Sequence, residues 1–174
     1  MKLKSFFILL VLVFTSVLLS QDRLPPGLSY SEDGKPLISP IDAPFVLKIN
    51  IDGYTLQKAK LKAGGKGVYF MFMGENIPNL SLWVETPGHC EDLEKCKDLV
   101  AAELRKIKDL KSYQKKNFYV FEYVQDLTII KMAHLRIQAF VSGYWIDIHA
   151  STVDSKIEDL LKVIDALEFS EKTF

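Results

Sequence analysis

Apolar and polar residues divide this chain into stretches of different period. FVLKINI (45–51) has the alternation of a strand, and Asp52-Gly53 after it is a strong hairpin-turn signal. YTLQKAKLKA (54–63) is then the expected partner strand, ended by Gly64-Gly65. VYFMFM (68–73) is apolar at every position, as in a central strand covered on both faces. LSLWVET (80–86), after a loop containing Pro78, and NFYVFEYV (117–124) also have strand character. Between these two the period changes. Leu93, Cys96, Val100, Leu104 and Ile107 advance in steps of three and four, which predicts a helix from about Asp92 to Leu110. Glu91, Asp92 and Glu94 near its start and Arg105, Lys106 and Lys108 near its end suit the helix dipole.

The most informative stretch is HLRIQAFV (134–141), Ser142-Gly143 and YWIDIHA (144–150), which reads as a tight hairpin. A two-residue turn places Val141 opposite Tyr144. One face then holds Leu135, Ile137, Ala139, Val141, Tyr144, Ile146, Ile148 and Ala150, a continuous core face. The other holds His134, Arg136, Gln138, Phe140, Trp145, Asp147 and His149, a mixed polar and aromatic face. A slip of one residue would exchange the two, so the pattern supports this register. Ser151 or Asp154 is then expected to cap a last helix through about Ala166. Its apolar stripe is Ile157, Leu160, Leu161, Ile164 and Leu167, with Phe169 packing at its end.

The N-terminal part is different. Residues 1–20 join a short basic start (Lys2, Lys4) to an apolar run from Phe6 to Leu19, followed by Ser20 and polar residues. That order predicts a secretory signal peptide cleaved after Ser20 and an exported, periplasmic or secreted product. The rival reading is an uncleaved anchor, but the run is short of the roughly 20 residues a span needs. Residues 21–43 carry Pro25, Pro26, Pro36 and Pro40 among glycines and serines and read as an extended linker. Residues 44–174 are then a single folded domain.

Composition adds exclusions. The 22 Lys and Arg balance 22 Asp and Glu, and cleavage would leave a slightly acidic chain. A general nucleic-acid binder would need a basic surface. The apolar and charged fractions are too ordinary for a disordered protein. The two cysteines, Cys90 and Cys96, would meet an oxidising environment after export. Inside one helix their Cα atoms would be about 9 Å apart, too far for a disulfide. With Cys90 in the loop before the helix, where Pro87-Gly88 points, a local bridge becomes feasible. A metal site of His89, Cys90 and Cys96 would lack a fourth ligand at any usual spacing.

Catalytic signatures are missing. There is no phosphate loop, no G-x-S-x-G elbow, no H-E-x-x-H and no calcium loop, and GGKG (64–67) has the wrong spacing for a P-loop. The sequence therefore points away from an enzyme and calls for no cofactor or resident metal; a hydrolase is the least supported class. The mixed hairpin face is the candidate site. Asp147 and His149 there could do metal or proton chemistry. The plainer alternative is an amphipathic face partly covered by a helix, with Trp145 and Phe140 as packing. A partner-binding surface is the third reading, since Trp, Phe and Arg are favoured at interfaces.

NLSLWVET leading into a long helix, and the ending SGYWIDIHASTVDSKIEDLLKVIDALEF, resemble the PsbP-like superfamily over about residues 45–170. That resemblance implies an α+β fold, an antiparallel β-sheet with helices packed on its faces as an α/β/α sandwich. Members include an extrinsic subunit of photosystem II, a yeast nuclear-import factor that binds a small GTPase, and bacterial periplasmic and secretion-associated proteins. It implies binding or assembly without catalysis, and no individual residue carries over. The leading expectation is an exported protein of the bacterial envelope that binds another envelope or secreted protein through the mixed face. An immunity-type inhibitor of a toxin is a narrower version. The alternative is a periplasmic small-ligand or metal-binding protein using His134, Asp147 and His149.

Overall fold

The structure, a computed structural model, describes residues 24–62, 67–86, 90–153 and 157–172. The signal segment, Gly64-Gly65, His89 and Asp154 lie outside these residues. Strands dominate. In chain order they are β1 (Leu28–Tyr30), β2 (Pro36–Ile38), β3 (Phe45–Ile49), β4 (Thr55–Leu61), β5 (Gly67–Met73) and β6 (Asn79–Glu85). Helix α1 (Leu93–Leu104) follows, then β7 (Lys111–Lys115), β8 (Phe118–Asp126), β9 (Lys131–Val141), β10 (Tyr144–Val153), helix α2 (Ile157–Asp165) and β11 (Leu167–Glu171).

The strands form two sheets. One has four strands in the order β1-β2-β3-β11, the other seven in the order β4-β5-β6-β10-β9-β8-β7, and all their pairings are antiparallel. The expected α+β arrangement of helices packed on a single sheet is thus overturned. This is a β-sandwich with two short helices. Its main core joins Ile38, Leu47 and Ile49 of the small sheet to Phe70, Leu82, Ile137 and Ile148 of the large one. Leu160, Val163 and Ile164 of α2 enter the same core. Helix α1 lies on the other face of the large sheet, where Val100 and Leu104 meet Phe121 and Tyr123.

Two of the four strands of the small sheet, β1 and β2, come from the stretch expected to be a linker. Leu28, Ile38 and Ala43 are buried in the core. The prolines are compatible because Pro36 opens β2 and Pro40 sits in a turn closed by the Ala43 amide, where a missing N–H is tolerated. The expected hairpin of residues 45–63 also fails. Gly53 does turn the chain, with φ of +82°, but β3 pairs with β2 and β11 while β4 pairs with β5. The turn passes the chain from one sheet to the other. Strand β4 is an edge with Lys58 and Lys60 exposed, and it carries a bulge between Leu56 and Lys58.

Helix α1 is shorter than its periodicity predicts. Ile107 and Leu110 stay in contact with its cluster, but Ile107 N–H bonds to Leu104 C=O in a turn and Asp109 has φ of +56°. The apolar spacing outlasts the helix. Phe169 lies in β11 and contacts Phe45 and Phe118 edge-on or tilted, each at 5.7 Å. Among the described residues no helix is long and apolar enough to cross a membrane.

Candidate functional site

Strands β9 and β10 meet in the expected register. Val141 faces Tyr144, Gln138 faces Asp147 and Arg136 faces His149. Ser142 and Gly143 both have positive φ, +50° and +82°, the signature of a type I′ turn, which matches the twist of the strands it joins. Period-2 alternation then sends the seven candidate residues to the outer face, away from the main core.

That face is not open. Helix α1 crosses it, anchored at its start by two devices. Asp92 caps the helix by accepting the Lys95 amide at 2.8 Å. The expected disulfide joins Cys90 to Cys96, with Cα atoms 5.1 Å apart. Both cysteines are buried against Trp145, with Phe140 at the border. Under this cover His134, Gln138, Trp145 and Asp147 are buried, and Arg136 and His149 are partly so.

The buried polar groups form a directed chain. Trp145 Nε1 donates to Gln138 Oε1 at 2.6 Å, and Gln138 Nε2 donates to Asp147 Oδ1 at 2.6 Å. Arg136 grips the same carboxylate, with Nε 3.0 Å from Oδ1 and Nη2 2.7 Å from Oδ2. Its Nη1 donates to Glu103 of α1. Burial works against the Arg136 charge, but Asp147 and Glu103 outweigh it and raise the guanidinium above its ordinary value. The network fastens the helix to the sheet.

The expected Asp147–His149 partnership does not form. His149 turns instead to His134, with Nε2 and Nδ1 3.0 Å apart, and the rings stack at 5.1 Å. Tyr123 stacks on the far side of His134 at 4.8 Å. Burial, followed by the charge of His134, pushes His149 down to about 4, and burial also lowers His134. The pair is therefore neutral near pH 7. His134 Nε2 is buried without a hydrogen-bond partner. Donation by His134 Nδ1–H leaves only a lone pair there, which is easier to tolerate than an orphaned N–H. Among the described residues no group of three His, Cys, Asp or Glu side chains could hold a metal ion. Asp147, needed for the expected ligand set, is committed to Arg136 and Gln138.

Beside α1 the face opens into a cleft of about 490 Å³. Trp83 and Trp145 form much of its wall, with Leu99 and Val100 from the helix. Lys62 and Glu85, 2.7 Å apart, stand at one part, and Arg136 with Asp147 at another. Tyr69 backs Trp83, with ring centroids 5.1 Å apart. Of the expected residues the cleft gathers Arg136, Trp145 and Asp147, and it leaves His134, Gln138, Phe140 and His149 off its wall. Trp83, which the sequence leaves open between this face and the core, joins the wall, and Glu85, Lys62, Leu99 and Glu103 are additions. Trp83 and Glu85 share a parity in LSLWVET, but that they face this way follows only from β6 lying beside β10.

Neither a comparison with protein-family models nor one with curated proteins found a match. Among solved structures, one from Bacteroides thetaiotaomicron is similar at 10% identity and a TM-score of 0.49, covering 84% of this chain and 49% of that one. The present chain thus spans about half the length of that neighbour. These results do not bear on the PsbP-like resemblance.

Proposed function

We propose that this chain is an exported, non-catalytic binding protein whose ligand enters the cleft between α1 and the β6–β10 part of the large sheet. The observation that carries the reading is the cleft itself. It is concave and walled by two tryptophans and helix aliphatics, with a few fixed charges, the usual make-up of a small-ligand pocket. The charged groups around it are already paired with one another, which suits orienting a ligand better than activating a nucleophile. The buried disulfide supports an oxidising compartment, in keeping with export. The ligand that fits is a small organic molecule with an apolar or aromatic body and one polar end directed at Lys62 and Glu85.

A second reading keeps the partner in the envelope but makes it a protein that inserts a side chain into the same cleft. The exposure of Leu99 and Glu103 on its rim favours that version.

The test uses the two tryptophans as reporters, because the chain has 2 and both line the cleft. Small aromatic and amphiphilic compounds are titrated against the protein while its emission is followed. A ligand of the cleft shifts the emission, and its affinity falls at least tenfold in Leu99→Arg, where a charge blocks the apolar wall. Compounds whose affinity is unchanged in that variant would remove the cleft as the site.

A further inference from the structure

The β8–β9 hairpin ends in a feature that the cleft does not use. Its last residues stand clear of the sandwich, and four apolar side chains there face solvent: Val124 (54% exposed), Leu127 (47%), Ile129 (92%) and Ile130 (43%). The tip is tightly built. The Leu127 amide bonds to Ile130 C=O at 2.9 Å, and the Thr128 amide bonds to Asp126 Oδ1 at 3.1 Å. Thr128 has φ of +72°, a left-handed conformation that β-branched residues rarely adopt.

Charge surrounds this tip. Lys106, Lys108 and Lys131 line the hollow beside the hairpin and form no ion pair among the described residues. Nearby acidic groups are partly committed. Glu122 is paired with Lys111 and bonded by Tyr113, while Asp109 and Asp126 stay as counter-charges, Asp126 directly opposite Lys131 in the ladder, so the three lysines exceed these two carboxylates by one.

We infer that this hairpin tip inserts into an anionic lipid surface, Ile129 and its neighbours entering the acyl boundary while Lys106, Lys108 and Lys131 meet the headgroups. A rigid, convex, apolar point with a basic collar is the combination that interfacial binding uses. A second copy of the chain is a poorer occupant. A stable dimer needs about 800 Å² from each partner, far more than a single turn presents.

The test attaches an environment-sensitive fluorophore to Ile129→Cys in the full chain with its disulfide oxidised. A second preparation carries the same label at Ser142→Cys, at the other end of β9. Each is mixed with vesicles of phosphatidylcholine alone or with about a third phosphatidylglycerol. The expected result is a blue shift at position 129 only, with the anionic vesicles only. In otherwise unlabelled protein, Ile129→Asp should weaken vesicle binding about tenfold. Each of Lys106→Gln and Lys131→Gln should weaken it about fivefold. Ile129 is almost fully exposed, so its substitution should leave the near-ultraviolet circular dichroism unchanged. Three results would overturn the inference: no shift at position 129, an equal shift with the neutral vesicles, or a shift without vesicles that grows with protein concentration.

Discussion

Arg136 and Asp147 are diagonal rather than direct cross-strand neighbours, yet they form the shortest fully charged link in the β9–β10 face, 2.7 Å between Nη2 and Oδ2. Arg136 skips its direct partner His149 and reaches Asp147, two pairs along the ladder and the next position on the same face. That leaves the two histidines to bond to each other and ties Asp147 to the row containing Gln138 and Trp145. Removing one partner leaves the other charge buried with only part of its compensation, Gln138 for Asp147 and Glu103 for Arg136. Asp147→Ala and Arg136→Ala are each expected to destabilise the fold by about 3–5 kcal/mol. The double variant should lose clearly less than their sum, measured by urea unfolding in a double-mutant cycle.

The paired histidines should make stability depend on pH. His149 titrates at about 4 in the folded chain against an ordinary value of 6.5. Between those values the unfolded chain binds more protons, so stability is fully present above pH 6.5 and is lost as pH falls toward 4. The contribution is on the order of 3 kcal/mol. Urea midpoints across that range should fall less steeply in His149→Phe than in the parent; parallel slopes would show that the pair does not control the response.

The short loop closed by Cys90 and Cys96 fixes the entry to α1 over Trp145. Replacing both cysteines by alanine should lower stability by about 2 kcal/mol. It should also change the near-ultraviolet signal of Trp145, because both sulfurs lie in its cluster. Mass spectrometry of exported protein should find no free thiols.

Gly74 lies where two turns meet. A Cβ there would stand 2.3 Å from Ile77 Cδ1 and 2.6 Å from the Gly53 carbonyl oxygen. The first contact can yield, but the second is backbone. Gly74→Ala should therefore destabilise by about 1–3 kcal/mol, read as a lowered thermal midpoint.

The β9–β10 hairpin was legible in the sequence down to its register because its period-2 alternation and two-residue turn are local and mutually consistent. Sheet membership was not. Nothing near Asp52-Gly53 shows that β3 will pair with β11 at the other end of the chain, more than a hundred residues away. Pro25, Pro26, Pro36 and Pro40 hid two strands because proline is tolerated at strand starts and turns. The register of the candidate face was legible, and so was the plainer alternative that a helix partly covers it, but not which helix does so. That α1 would lie across it, bringing Glu103 to Arg136, depends on packing between elements that local periodicity does not encode.

The two outer strands of the large sheet, β4 and β7, present backbone donors and acceptors with no neighbour in that sheet. Strand β4 carries the exposed lysines Lys58 and Lys60, whereas Lys111 of β7 is paired with Glu122, so the like charges lie on the β4 margin. When one molecule approaches another along that edge, these like charges oppose the encounter before hydrogen bonds can register. Salt weakens that barrier, because screening shortens to about 3 Å at 1 M. The colloidal behaviour of the chain should therefore be set at that margin: dispersed in dilute buffer, and more prone to lateral strand pairing as ionic strength rises.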